Sequence, residues 1–74
     1  KWWGSFHVVD FNYQGSISRA IGIKPNGAGG GHAVNILEIT GDRVHYYDKQ
    51  AQYYHFDKVD GYCSRYECQI YQYD

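Results

Sequence analysis

Apolar and polar positions along this chain change in short steps, the spacing of strands rather than of helices. Residues 16–24 (Ser16-Ile17-Ser18-Arg19-Ala20-Ile21-Gly22-Ile23-Lys24) place Ile17, Arg19, Ile21 and Ile23 on one face and small residues on the other. That is strand alternation with one face able to lie close to another backbone. Residues 32–40 are apolar on both faces, with Val34 and Ile36 on one and Leu37 and Ile39 on the other, which predicts a strand in the middle of a sheet. After Thr40-Gly41-Asp42, residues 43–48 read as the return strand of a hairpin. Residues 2–11 (Trp2-Trp3-Gly4-Ser5-Phe6-His7-Val8-Val9-Asp10-Phe11) suit a strand or a short buried element, and periodicity does not separate the two. Residues 12–16 are turn-like. The pattern loosens over residues 49–60, where Tyr53-Tyr54-His55-Phe56 predicts another short strand. Asp60-Gly61 signals a turn, and Tyr62-Cys63 with residues 68–73 read as a last hairpin around Ser64-Arg65-Tyr66-Glu67. No repeat and no convincing amphipathic helix is visible, so the expected fold is mostly β, with about five short antiparallel strands.

Composition changes this picture in three ways. Seventy-four residues make a single small domain, 1–74, and chains of this size bury only about 60% of their unfolded surface, so added staples matter. The net charge of −1, with no basic block, disfavours nucleic acid and an anionic membrane as partners. No apolar run approaches the roughly 18 residues of a membrane-spanning helix, and no signal peptide is visible, so a soluble chain is expected. The first residue is Lys rather than Met, which fits a fragment, a processed product or an excised domain. Nine Tyr, two Trp and three Phe suit the half-buried faces of a thin antiparallel sheet. They are spread over the strands rather than gathered beside a basic groove, so this structural use outweighs a stacking platform.

The candidate chemistry lies around Gly29-Gly30-Gly31-His32-Ala33-Val34-Asn35. A glycine run ending at a histidine can hold an imidazole at a cleft edge without walling it in. His32 opens one strand and Asp48 closes the next, so the two are a candidate dyad; taken singly, each is equally a satisfied strand-end residue. Register tests the pairing. If Gly41-Asp42 makes a simple two-residue turn, Asn35 falls opposite Asp48 and alternation points Asp48 away from His32. A dyad therefore requires a three-residue loop or a bulge in this hairpin. His7, His45 and His55 lack comparable context.

Cys63 and Cys68 admit three readings: a small disulfide across a hairpin, two reduced core thiols, or a nucleophile. The disulfide would add about 2 kcal/mol by the chain-entropy model. A zinc deaminase fits less well. Its Glu two residues after the His is replaced here by Val34, and its cysteines stand closer together than Cys63 and Cys68.

Ser18-Arg19-Ala20-Ile21-Gly22, Gly30-Gly31-His32-Ala33-Val34-Asn35, Gly41-Asp42-Arg43-Val44 and Asp48-Lys49-Gln50, taken together, resemble the papain-fold toxin family, the glutamine-deamidase-like domains at the C-termini of bacterial polymorphic toxins and effectors. The resemblance covers residues 17–52. It implies an antiparallel, partly barrel-like sheet, the β-half of a papain-like α+β fold, and a Cys-His-Asp triad that deamidates protein glutamine side chains, with a cysteine protease as the nearest variant. His32 would be the base, Asp48 its orienting carboxylate, and Gln50 a residue shaping the amide site; Asn35 would pack or bond within the sheet. A thiol needs an adjacent imidazole to be a thiolate at neutral pH, and that imidazole needs an acceptor on its far nitrogen. The sequence departs from the family in that no cysteine precedes His32. The expectation is a chain lacking the helical, Cys-bearing half; the alternatives are circular permutation or a non-catalytic β module that binds a protein partner. The resemblance further implies no cofactor and no metal, secretion or delivery into a target cell, and a protein substrate there, with the missing half or an immunity protein as other partners.

Overall fold

The computed structural model describes residues 5–25 and 31–74. Trp2 and Trp3 of the expected first strand, and most of the glycine loop before His32, lie outside the described residues. Among these residues there are six strands: β1 (Phe6–Val9), β2 (Gly15–Pro25), β3 (Gly31–Thr40), β4 (Arg43–Asp48), β5 (Tyr53–Lys58) and β6 (Ile70–Tyr73). One helix, α1 (Val59–Arg65), joins β5 to β6. The strands form a single antiparallel sheet in the order β1-β6-β2-β3-β4-β5. The sheet is open, with β1 and β5 as its edges, so the expected β fold is present without barrel closure.

Irregularities in two neighbouring strands set which side chains point where. Gly41-Asp42 is a two-residue turn closed by Thr40 opposite Arg43, with Gly41 at φ +62°, the residue and conformation that a type II′ hairpin turn takes at its first central position. The Gln14 side chain brackets this turn, accepting from the Gly41 N–H at 2.6 Å and donating to its carbonyl at 3.2 Å. Between the pairs Ile36–Tyr46 and Glu38–His45, Leu37 has no partner on β4, and this bulge reverses the alternation. Ile39 therefore shares the buried face with Val34 and Ile36, where unbroken alternation had put it on the opposite one. In β2 the register slips between Ser16 and Ala20, and Arg19 sits at φ +57°. Ile17 thus falls on the buried face with Ala20 and Gly22, while Ile21 and Ile23 lie on the other, which corrects the expectation of a single isoleucine face.

The core lies between one face of the sheet and α1. Ile17, Ala20, Val34, Ile36, Ile39, Val44, Tyr46 and Ile70 pack against Tyr62 and Tyr66 of the helical segment. Tyr62 and Tyr66 are stacked at 4.8 Å between centroids, and both meet Tyr46 edge-on, at 5.3 and 5.5 Å. The helix replaces the first arm of the expected last hairpin. Its Asp60-Gly61 start reads as a turn and two turns of helix are too short to stand alone, so burial of two tyrosines on one side, at i and i+4, is what holds it. Cys63 and Cys68 form a disulfide with their Cα atoms 4.6 Å apart, tying α1 to the segment that enters β6. The Glu67 N–H donates to the Ile23 carbonyl at 2.8 Å and anchors that segment on β2.

A Cβ added at Gly22 would overlap the Tyr62 hydroxyl, which is buried without a hydrogen-bond partner among the described residues. Gly22→Ala is expected to destabilise the fold by about 1–3 kcal/mol. Tyr62→Phe removes an unpaired buried hydroxyl and is expected to stabilise it by about 1 kcal/mol, and to recover part of the Gly22→Ala loss in the double variant. Chemical denaturation of the four proteins measures both. The Cys63→Ser, Cys68→Ser double variant is expected to lose about 2 kcal/mol in the same experiment.

Candidate active site

The bulge at Leu37 puts His32, second residue of β3, on the same face as Asp48, last residue of β4. The His32 Nε2 and Asp48 Oδ2 atoms are 2.8 Å apart. The hairpin thus meets the condition that its sequence set: the turn has two residues, and a bulge supplies the change of parity. His32 retains 25% of its side-chain surface and Asp48 11%, so the pair sits at the edge of the core with the imidazole reachable from outside.

The carboxylate is held from both sides. Its Oδ2 faces the imidazole, and its Oδ1 accepts from the Ala51 N–H at 3.1 Å in the turn leading to β5. The His32 hydrogen bond, then the Ala51 amide, keep the Asp48 carboxyl below its ordinary value of 3.8; the Gln50 amide adds in the same direction. An ionised Asp48 accepts, so the imidazole proton stays on Nε2 and the Nδ1 lone pair is left as the basic position. This nitrogen takes no hydrogen-bond partner among the described residues.

Comparison with family models, with curated proteins and with solved structures finds no match to this chain.

His32 and Asp48 are brought together; Gln50 is not. Its side chain is exposed in the turn, and only its backbone amide reaches toward Asp48. Asn35 lies on the opposite face of the sheet, between Ile21 and Tyr47. His7 is exposed and lies 3.4 Å from Asp74, and His45 is set between Tyr54 and Phe56 on the outer face. The disulfide occupies both thiols, which removes the ligands a zinc deaminase would need and leaves neither Cys63 nor Cys68 as a free nucleophile. Among the described residues no three potential ligands gather as a metal site.

Two neighbours of the dyad escaped the sequence pattern. Tyr53 pairs directly with Asp48 across β4 and β5, and His55 stacks on Tyr46 at 4.9 Å while meeting the Tyr53 ring edge-on. The signal was present in the alternation of β5, since any residue opposite Asp48 shares its face. Beyond them, Tyr46 donates to Asp57 at 2.5 Å, and Arg65 bonds the same carboxylate, closing this side of the core.

Because Asp48 is depressed relative to an unfolded carboxyl, its contribution to stability is full above the ordinary value of 3.8 and is lost as pH falls through the lower folded value. Carbon-detected NMR is expected to show the Asp48 carboxyl titrating below 3.8 in the intact chain and moving toward that value in His32→Ala.

Proposed function

We propose that this chain is the His- and Asp-bearing half of a papain-like cysteine amidohydrolase, a bacterial toxin or effector that deamidates protein glutamine side chains, with the nucleophilic cysteine supplied from outside residues 1–74. The observation that carries this reading is the 2.8 Å contact between His32 Nε2 and Asp48 Oδ2, with Nδ1 taking no partner among the described residues. In this reading Nδ1 takes the proton of a cysteine thiol brought against the exposed side of the imidazole, and Asp48 stabilises the imidazolium that forms. The thiolate attacks the side-chain carboxamide carbon. The tetrahedral adduct collapses with loss of ammonia, which leaves with the proton held on His32. Water, deprotonated by the same nitrogen, then releases the thioester as a glutamate.

A disulfide in so small a domain suits an oxidising compartment, in keeping with a secreted or delivered protein. Among the described residues no helix is long and apolar enough to cross a membrane. The second reading, a non-catalytic module binding a protein partner, is favoured by the engagement of both cysteines in the disulfide.

The parent reading frame and one assay separate the two. A helix opening with a cysteine upstream of this chain supports the enzyme. The 74 residues alone are expected to leave glutamine side chains of protein substrates intact, and the chain joined to that helix to convert them to glutamate, read by mass spectrometry. His32→Ala is expected to abolish turnover, and Asp48→Asn to lower kcat by about 10²–10⁴-fold. Turnover by the isolated chain that disappears in Cys63→Ala or Cys68→Ala would replace this account with a permuted enzyme.

A further inference from the structure

Helix α1 covers one face of the sheet; the other carries Phe6, Val8, Ile21, Ile23, Leu37, Tyr47, Tyr54, Phe56, Tyr71 and Tyr73 by register and has no second layer among the described residues. We infer that this outer face is the contact surface of a symmetric dimer, in which Tyr54 and Phe56 of each copy enter a groove on the other.

The groove lies where the two irregularities adjoin. The extra residues around Arg19 in β2 and the bulge at Leu37 in β3 open a cavity of about 680 Å³, lined from the outer face by Ile21, Asn35, Leu37 and Tyr73. On the same face, three strands away, the β5 edge projects Tyr54, 62% exposed, and Phe56, 54% exposed. Both rings already pack against neighbours on their own sheet. Tyr54 lies 4.6 Å from the Tyr47 ring, and Phe56 packs on His45 at 5.5 Å and carries the Arg43 guanidinium at 5.6 Å. Placing them in a partner's groove therefore costs little further side-chain entropy.

A second copy is the occupant because hollow and projection lie side by side on one surface, which is the self-complementarity a two-fold interface requires. Strands about 4.8 Å apart, with β2 and β3 about 33 Å long and the six-residue β4 and β5 about 20 Å, give β2 to β5 roughly 530 Å² of face per copy. A pair then buries roughly 1,050 Å², just above the about 1,000 Å² that a biological interface needs. The centre, Ile21, Asn35, Leu37 and Tyr47, is uncharged, while Glu38, Arg43 and Lys58 stand together toward the hairpin end, an apolar core with a charged margin. A net charge of −1 gives two copies little to repel each other. His32 and Asp48 are on the opposite face, so this dimer leaves the dyad open and stands independently of the reading of that site.

Sedimentation equilibrium of the chain is expected to show a reversible dimer with a dissociation constant of about micromolar, the weak end of the range for specific interfaces. Leu37→Lys in the groove and Phe56→Asp at the edge are each expected to give a monomer with an unchanged circular dichroism spectrum. In a mixture of labelled and unlabelled wild-type chains, isotope-filtered NMR is expected to show contacts between the Tyr54 and Phe56 rings and the Ile21 methyls. Within one chain these groups are about 14 Å apart across β3 and β4, beyond the reach of the effect. A monomer at all concentrations, a dimer indifferent to Phe56→Asp, or a dimer without those contacts would overturn the inference. So would a monomer that uses this face to bind a different protein.

Discussion

Leu37 occupies a place in β3 with no partner on β4, and the direction of every side chain N-terminal to it in that strand depends on this extra residue. Strand alternation has a period of two, so one unpaired residue exchanges the faces of all that precede it. With it, Val34, Ile36 and Ile39 point to the same side and meet Val44 and Tyr46 beneath the helical tyrosines. His32 is carried to that side as well, at the strand's beginning, where the last residue of β4 is the acidic Asp48. Packing of the core and assembly of the dyad are thus two consequences of one register constraint.

The tyrosines complete what the bulge begins. A sheet of this size with a two-turn helix has little apolar volume to enclose, and Tyr46, Tyr62 and Tyr66 supply much of it as three rings in mutual contact. Their hydroxyls determine the surroundings. The Tyr46 oxygen reaches Asp57 and Arg65 at the margin of the core, whereas that of Tyr62 lies over Gly22, where only a residue without a Cβ leaves it room. Close approach to the small-residue face of β2 is the reason α1 can lie against the sheet, and the disulfide to Cys68 holds its end there. Burial and the neighbouring tyrosines push the Tyr62 phenol well above its ordinary value of 10.0, so it stays neutral within the core.

The irregularities that turn His32 inward also shape the opposite side. Leu37 leaves the ladder toward the outer face, beside the slipped segment at Arg19, and the space between them is the groove. One face of the sheet therefore holds the paired imidazole and carboxylate at the edge of a tyrosine-lined core, and the other an apolar hollow next to projecting rings. The chemistry proposed for the first and the self-association inferred for the second use different surfaces of the same six strands and can operate together.

Local sequence determined the strands and the residue types of the site. Alternation located β2 to β5 within a few residues, Gly41 marked the hairpin turn, and the spacing of His32 and Asp48, with the rule of alternation, was enough to require a loop or bulge between them. The proximity of Cys63 and Cys68 was also legible, though as a hairpin rather than as a helix tied to its exit. What the sequence left open is what depends on partners distant along the chain. The bulge lies at Leu37 because Ile39 and Ile36 are both drawn beneath the same tyrosines, a demand invisible in the alternation of β3 itself. Residues 59–65 become helical because Tyr62 and Tyr66 find Tyr46, against the turn signal of Asp60-Gly61. β6 comes to lie between β1 and β2 because the disulfide and the Glu67 amide direct it to β2. Periodicity reports which side of its own strand a residue occupies; only the packed molecule decides which side faces the core, since that choice is made by the burial of residues far apart in the chain.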